Sequence, residues 1–509
     1  MNFTASRLAI ASGAAFLALV LAAIFFRSMS GDLNHDEHQF LAPAALLARE
    51  GLQPYVDYPL FHLPNLTLAY AALNRVSPYI ILNARLLSLA CTGAMLVMLF
   101  VCAHRSLAGR GPWVRFAGAA SVVMLLVCDP LFLRTTGKTW NHEAPAFLLV
   151  AALLCLMRAM STPAHCWMLL SGLATGLAIG SRLTFAPVVL PLFCAAFLLP
   201  VEKKRRLFYA LTFAAAVTAA MAPTLYFFVR DPQAFLFCNL EFPRLTLLDP
   251  TNERVHKTTV WWRKLRYVAK EILLPDTNDG KFTGSFALFA TFLAVGIAPG
   301  IAWLRTRKGS VGAALVLLVL PFVLIGACAP SRYQNQHFYV LVPCFAFAAA
   351  CGIGHVRWAS GKGVALLCLP VLVSLVLTRG EWAFQRPAEW YVFRMHDAGR
   401  ALRQRVGEGK VLTLAPTVPI EGGLRIYPEF ATGLFALRNA PFVDPARRAR
   451  LRVVAPEDLD TRLAADPPAA IWTGFEDEKY EQPLVQYAQR HGYTRSYVER
   501  KRVLWLRRQ

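Results

Sequence analysis

Charge is what this sequence has least of. Only 17% of its 509 residues are Asp, Glu, Lys or Arg, against about 25% in ordinary soluble proteins. An all-soluble fold is thereby excluded, because 56% of the residues are hydrophobic and the mean hydropathy is +0.43. Acids are scarcer still: 31 Asp and Glu face 53 Lys and Arg, a formal net charge of +22. That excess is not a nucleic-acid footprint, since the basic residues sit in short patches between apolar runs and in the tail, where they orient membrane spans and meet anionic headgroups. No GxGxxG and no Walker loop is present, so nothing points to a nucleotide site. The 11 cysteines include no CxxC pair and no Cys/His cluster with zinc spacing, and none falls in roughly the last 140 residues. They read as small buried hydrophobes. Internal repeats and low-complexity segments are also lacking.

What is present is a series of apolar runs long enough to cross a hydrocarbon core about 30 Å thick. Residues 8–26, preceded by Arg7, are long for a signal peptide and no A-x-A-like site follows, so they are read as span 1. Further spans are predicted at 80–103, 116–133, 144–160, 166–180, 184–199, 207–229, 284–304, 311–329, 338–353 and 364–377. Gly176, Gly180 and Pro187 are expected to break what would otherwise be one long helix. Residues 60–73 are apolar but interrupted by His62, Pro64 and Asn65, and are placed at the interface. Basic clusters orient the chain: Arg105, Arg110 and Arg115; Lys203, Lys204, Arg205 and Arg206; Arg305, Arg307 and Lys308; Arg357 and Lys362. All fall on the cytoplasmic side if the N-terminus is inside. The expected fold is an α-helical polytopic membrane protein of about 11 transmembrane helices, spanning 1–378, with a small C-terminal α/β domain at 379–509 on the outer, periplasmic side of a bacterial inner membrane. In that domain KVLTLA (410–415), AAIWT (469–473) and RVLWL (502–506) read as strands and 483–491 as a helix.

The polar residues worth chemistry gather in the outer loops. The first loop, 28–78, carries Asn34-His35-Asp36-Glu37-His38, a helical stretch at 39–50, then Gly51 through Pro59 with Tyr55 and Asp57, and His62 beyond. A carboxylate here can take a proton from an attacking hydroxyl, help worth about 10²–10⁴-fold; equally, Asp36 and Glu37 can simply open a helix, where acids favour the dipole. The second loop holds Arg134, Lys138, Trp140, Asn141, His142 and Glu143 and reads first as a solvated hairpin. Arg182, between two broken spans, either snorkels to the interface or faces an anionic ligand. The segment 331–339, with Arg332, Tyr333, His337, Phe338 and Tyr339, is either a phosphate cradle or an aromatic belt with one basic anchor. TTVWWRKLRY (258–267) reads as a helix lying on the interface.

Taken together, Asp36-Glu37 after the first span, the stretch Gly51…Pro54-Tyr55…Asp57…Pro59…His62, the late Arg332-Tyr333…His337-Phe338-Tyr339…Pro343 segment and the outer α/β tail resemble the GT-C superfamily of integral membrane glycosyltransferases. The bacterial relatives of protein O-mannosyltransferases and of the lipid A aminoarabinose transferase are the most similar branch. The resemblance implies inverting transfer of a sugar from a polyprenyl-phosphate donor to a hydroxyl acceptor on a glycolipid, polysaccharide or protein. It places Asp36, Glu37 and Asp57 as catalytic acids, Arg332, His337 and Arg182 on the donor phosphate, and Tyr55, His62, Lys138, His142 and Tyr339 on substrate. The scheme requires no nucleotide or metal, although some branches use a divalent ion at the first-loop acids. Tyr58 stands where the aminoarabinose branch has a lysine, which argues against aminoarabinose as the sugar. Trp261-Trp262 is followed by Arg263-Lys264, so the WWDYG motif of oligosaccharyltransferases is absent. The rival class is a transporter or flippase, which would move a solute unchanged.

Overall fold

A computed structural model describes residues 3–248, 261–274, 284–331, 334–356, 367–382, 384–499 and 502–507. The chain opens with helix α1 (Phe3–Ser30), the loop helices α2 (His35–Glu50) and α3 (Asn65–Asn74), and α4 (Ile80–Ser106). Helices α5 (Pro112–Val127), α6 (Pro130–Thr135), α7 (Glu143–Ser161) and α8 (His165–Ser181) follow. Each of the eleven segments expected to span contains helix. Among the described residues six helices are long and apolar enough to cross a membrane by length and composition. The bent pair Lys203–Ala220 and Ala222–Arg230, angled at 52°, makes a seventh, and Pro112–Val127 and Leu183–Leu198 are shorter apolar helices. Leu207, Phe208, Leu211, Tyr226 and Val229 point outward from the bent pair, as side chains meant for lipid must. Cys166, Cys194 and Cys368 are likewise exposed and Cys91 and Cys155 half-buried, so the reading of all cysteines as buried holds for the other six. All 11 are free thiols.

One expected break lies elsewhere. Helix α8 runs unbroken through Gly176 and Gly180 and ends at Ser181; Arg182 is extended (φ −156°), and a 3₁₀ segment, Leu183–Val188, contains Pro187. The glycines instead permit close packing. A Cβ on Gly172 would lie 2.5 Å from the Phe213 carbonyl oxygen, and one on Gly176 would lie 2.5 Å from that of Val217. This GxxxG stripe lets two backbones approach where lipid offers no hydrophobic drive to bring helices together.

The C-terminal part folds as a five-stranded sheet of order β2-β1-β3-β5-β4. Its strands are β1 (Lys410–Thr413), β2 (Arg425–Ile426), β3 (Ala470–Thr473), β4 (Thr494–Glu499) and β5 (Arg502–Leu506). Strand β1 is parallel to β2 and β3, and β5 is antiparallel to β3 and β4. Strand β3 is buried at every position, as expected for a central strand covered on both faces. The helices Tyr391–Val406 and Glu478–Arg490 complete the unit.

This sheet domain is fastened to the first loop and to α4. Tyr79, the residue before α4, provides no side-chain cap. The missing acceptor comes from Glu421, whose Oε2 accepts from Ile80 N–H (3.0 Å) and Ile81 N–H (3.3 Å). A carboxylate at that position satisfies two orphan donors and suits the positive end of the helix. Glu421 also pairs with His396 at 3.1 Å, and Arg49 of α2 donates to the Ile420 carbonyl at 2.5 Å. Asn439 donates to Phe242 O (3.1 Å), and Arg447 makes a forked pair with Glu241 (2.8 and 3.0 Å).

Candidate active site

The site is built around the N-terminus of α2. Asn34 caps the helix: its side chain accepts from Asp36 N–H at 2.9 Å, and Glu37 Oε1 reaches back to Asn34 N–H at 2.8 Å, a reciprocal box. The other oxygen of Glu37 accepts from the backbone N–H and the hydroxyl of Thr139, both at 2.9 Å, and lies 4.0 Å from Arg85. Glu37 is fully buried; it braces the second loop against the first. Arg85, itself buried, donates to Ser28 O at 2.5 Å. Glu143 makes the matching anchor, accepting from Ser88, from Thr92 (2.7 Å) and from Gly137 N–H (3.2 Å).

The second loop is therefore no solvated hairpin. Thr139, Trp140, Asn141, His142 and Glu143 are buried, and only Arg134 is well exposed. The anchors at Glu37 and Glu143 draw the loop inward, which the string of polar residues concealed. Lys138 lies half-buried with its ammonium 4.3 Å from the Trp140 ring centre.

Beneath it runs a single hydrogen-bonded chain. Arg182 Nη1 donates to Asn141 Oδ1 (2.6 Å), Asn141 Nδ2 to His62 Nδ1 (3.3 Å), and His62 Nε2 to Gln39 Oε1 (2.8 Å). The amide and imidazole orientations follow from this one consistent direction of donation. His142 Nε2 accepts from the same Arg182 nitrogen at 3.1 Å, and its ring lies 6.3 Å from that of His337. Burial and the nearby Arg182 push the His62 imidazole down to about 3, so it is neutral at neutral pH. Gln39 follows Asp36 by three residues and shares its helix face. The chain thus links Arg182 to the helix that carries Asp36.

Asp36 is placed differently from Glu37 and Asp57. It accepts no backbone hydrogen bond among the described residues, keeps 22% of its side chain exposed and lies 3.4 Å from His35 Nε2. Burial raises its pKa above the ordinary carboxylate value, while His35, Arg438 and Lys138 pull it back and Glu37 adds to the rise. Arg182 also feels the charge of Asp36. Asp57 is turned to its own loop: its Oδ2 accepts from Gln53 N–H at 2.7 Å. Tyr55, at φ +64°, donates to the His62 carbonyl and packs on Phe235; Tyr58 donates to Pro43 O at 2.9 Å. Tyr339 is buried with its ring 6.4 Å from that of Phe132. Arg332 and Tyr333 lie outside the described residues.

The structure thus brings Asp36, Arg182, His62, His142, Lys138 and His337 to one region and leaves Asp57 and Tyr55 in a separate turn. Gln39, Arg85, Thr139 and Arg438 were not singled out by the sequence. Arg85 carried a signal, an arginine inside an apolar run; the others pair only through tertiary contact. A divalent ion at the first-loop acids does not fit these residues: both Glu37 oxygens are engaged, cations surround Asp36, and no group of three His, Cys, Asp or Glu gathers among the described residues.

This architecture matches known structures from end to end. ArnT from Cupriavidus metallidurans, in the apo state, superimposes with a TM-score of 0.59 at 14% identity over 98% of each chain. The same protein bound to undecaprenyl phosphate gives 0.59 at 12% identity over 97% of each chain. The Archaeoglobus fulgidus oligosaccharyltransferase in complex with Zn and sulfate gives 0.51 at 14% identity, covering 92% of this chain and 69% of that one. No family model and no curated protein matches by sequence. The chain has the fold of the GT-C membrane glycosyltransferases.

Proposed function

We propose that this protein transfers a sugar, with inversion, from a polyprenyl-phosphate-linked donor to a hydroxyl acceptor at the outer face of the membrane. The observation that carries the reading is Asp36, a part-exposed carboxylate at a helix N-terminus, set among cations and joined through Gln39, His62 and Asn141 to Arg182. The fold adds weight, since ArnT is a structure bound to undecaprenyl phosphate. In the reaction the acceptor oxygen bonds to the anomeric carbon as the bond from that carbon to the phosphate oxygen breaks. The proton of the hydroxyl passes to Asp36, and the electron pair leaves with the polyprenyl phosphate. Arg182, with His142 and His337 beside it, stabilises the departing phosphate, and Arg332 is proposed as a further cation for it. Glu37 holds the two loops together and Asp57 closes the 53–57 turn, so the base is assigned to Asp36 alone.

Asp36→Asn decides the matter, because Asn caps a helix about as well as Asp but takes no proton. Mass spectrometry of surface glycolipids and glycoproteins, with and without the gene, first identifies the product. The variant is expected to insert and accumulate normally while product formation falls about 10²-fold or more. Product formation near the wild-type rate overturns the mechanism. A solute moved unchanged across isolated membranes identifies a transporter instead.

A further inference from the structure

The neighbours of Asp36 include a cation from the opposite end of the chain. The short helix Leu434–Arg438 of the C-terminal domain lies over the start of α2. Gly433, just before it, has φ +61°, and a Cβ there would sit 2.6 Å from the Leu414 carbonyl oxygen and 3.5 Å from His38 Cβ. Only glycine combines that backbone with that approach. His38 Nδ1 meets Thr417 Oγ1 at 2.8 Å, which fixes the domain to α2 a second time. The Phe435 ring lies 6.1 Å from that of His35, and the Arg438 guanidinium carbon is 4.9 Å from the centre of the same Phe435 ring. Phe435 therefore lies between His35, the residue next to Asp36, and the Arg438 guanidinium.

We propose that Arg438 is the counter-ion and positioning residue of Asp36, so that the C-terminal domain completes the site of the membrane domain. Its catalytic consequence rests on Asp36 being the base, as read above. The titratable and charged groups that act on Asp36 are His35 and Glu37 on α2, Lys138 on the second loop, Arg182 after α8, and Arg438 and Glu476 on the C-terminal domain. A guanidinium keeps its charge at any working pH. Arg438 therefore supplies a pH-independent share of the attraction that keeps a partly buried carboxylate ionised. The planar guanidinium is held on the Phe435 face.

The test reads the protonation of Asp36 without any substrate. Dicyclohexylcarbodiimide adds to a protonated carboxyl group, and mass spectrometry of the full-length protein in detergent follows labelling of the Asp36 peptide against pH. Asp36→Asn supplies the background from Glu37. Arg438→Gln and Arg438→Met keep a side chain on Phe435 but remove the charge, and are expected to move the half-labelling point up by about one pH unit. Arg438→Lys restores it to within a few tenths. An unchanged half-point in both neutral variants, or no labelling of Asp36 at any pH in any of them, overturns the proposal. If the half-point shifts while Asp36→Asn still forms product, the counter-ion stands and the glycosyl-transfer reading falls. If Asp36→Asn is inactive and the half-point is unmoved, the reverse holds.

Discussion

Three acids of the first loop carry the same charge, yet their surroundings assign them different work. Glu37 is buried with both oxygens engaged, so Glu37→Gln sets an amide N–H against the Thr139 donors and removes the partner of Arg85. We expect a loss of about 3 kcal/mol in stability, read as a lower melting temperature in detergent, whereas Asp36→Asn leaves melting nearly unchanged. Asp36 carries the pH dependence. Its pKa is raised by burial, and a base must be ionised, so transfer should climb with pH through a midpoint above the ordinary value of 3.8. An acidic limb of kcat/KM centred below that value contradicts the assignment. If the proposed donor is right, Arg182→Gln, in turn, should weaken binding of a polyprenyl phosphate in native mass spectrometry by about tenfold, an effect Asp36→Asn does not share. Asp36, Arg182 and His337 were legible in the sequence because ionisable residues stand out at the ends of apolar runs. Arg85 was equally visible but lies inside a run and was passed over. Gln39 looked like any polar residue of a surface helix, and Arg438 sits in a tail whose approach to the first loop no local pattern announces.

At the scale of elements, hydropathy found the helices but misread their joints. The break after α8 falls at Arg182 because its side chain is held by Asn141, His142 and Thr184, a tertiary cause. Of the glycines thought to cause it, Gly176 is instead part of the contact surface against Lys203–Ala220, and Gly180 packs against Asn65. Gly176→Ile would drive a branched side chain into the Val217 carbonyl and should cost about 1–3 kcal/mol, measured as reduced thermal stability, while Gly51→Ala, with open space around it but a left-handed backbone, costs less. The second outer loop shows the same limit. Its polar composition suits a solvated turn, and only the reach of Glu37 to Thr139 and of Glu143 to Ser88 and Thr92 turns it inward. In the sheet, β1, β3 and β5 were plain as apolar runs, but β2 is two residues long and β4 is mostly polar, so neither had a pattern to find.

Across the whole molecule, the basic loops predict that the C-terminal domain lies outside the membrane. A reporter active only in the cytoplasm, fused after residue 509, should stay dark; a bright fusion shows that the number of crossings is even and not eleven. The docking of that domain has a consequence in time. Helix α4 enters its first turn with two N–H groups whose acceptor is Glu421, a side chain made by the ribosome long after α4 has been threaded into the bilayer. Until then the start of α4 has only water or headgroups for partners, and one of the two helices that anchor the second loop is still frayed at its start. Biogenesis should therefore end with a late locking step rather than with insertion. A chain truncated at 378 is expected to insert but to stay sensitive to protease at residues 74–80, and supplying Glu421→Ala full-length protein should reproduce that nick without loss of the sheet domain itself.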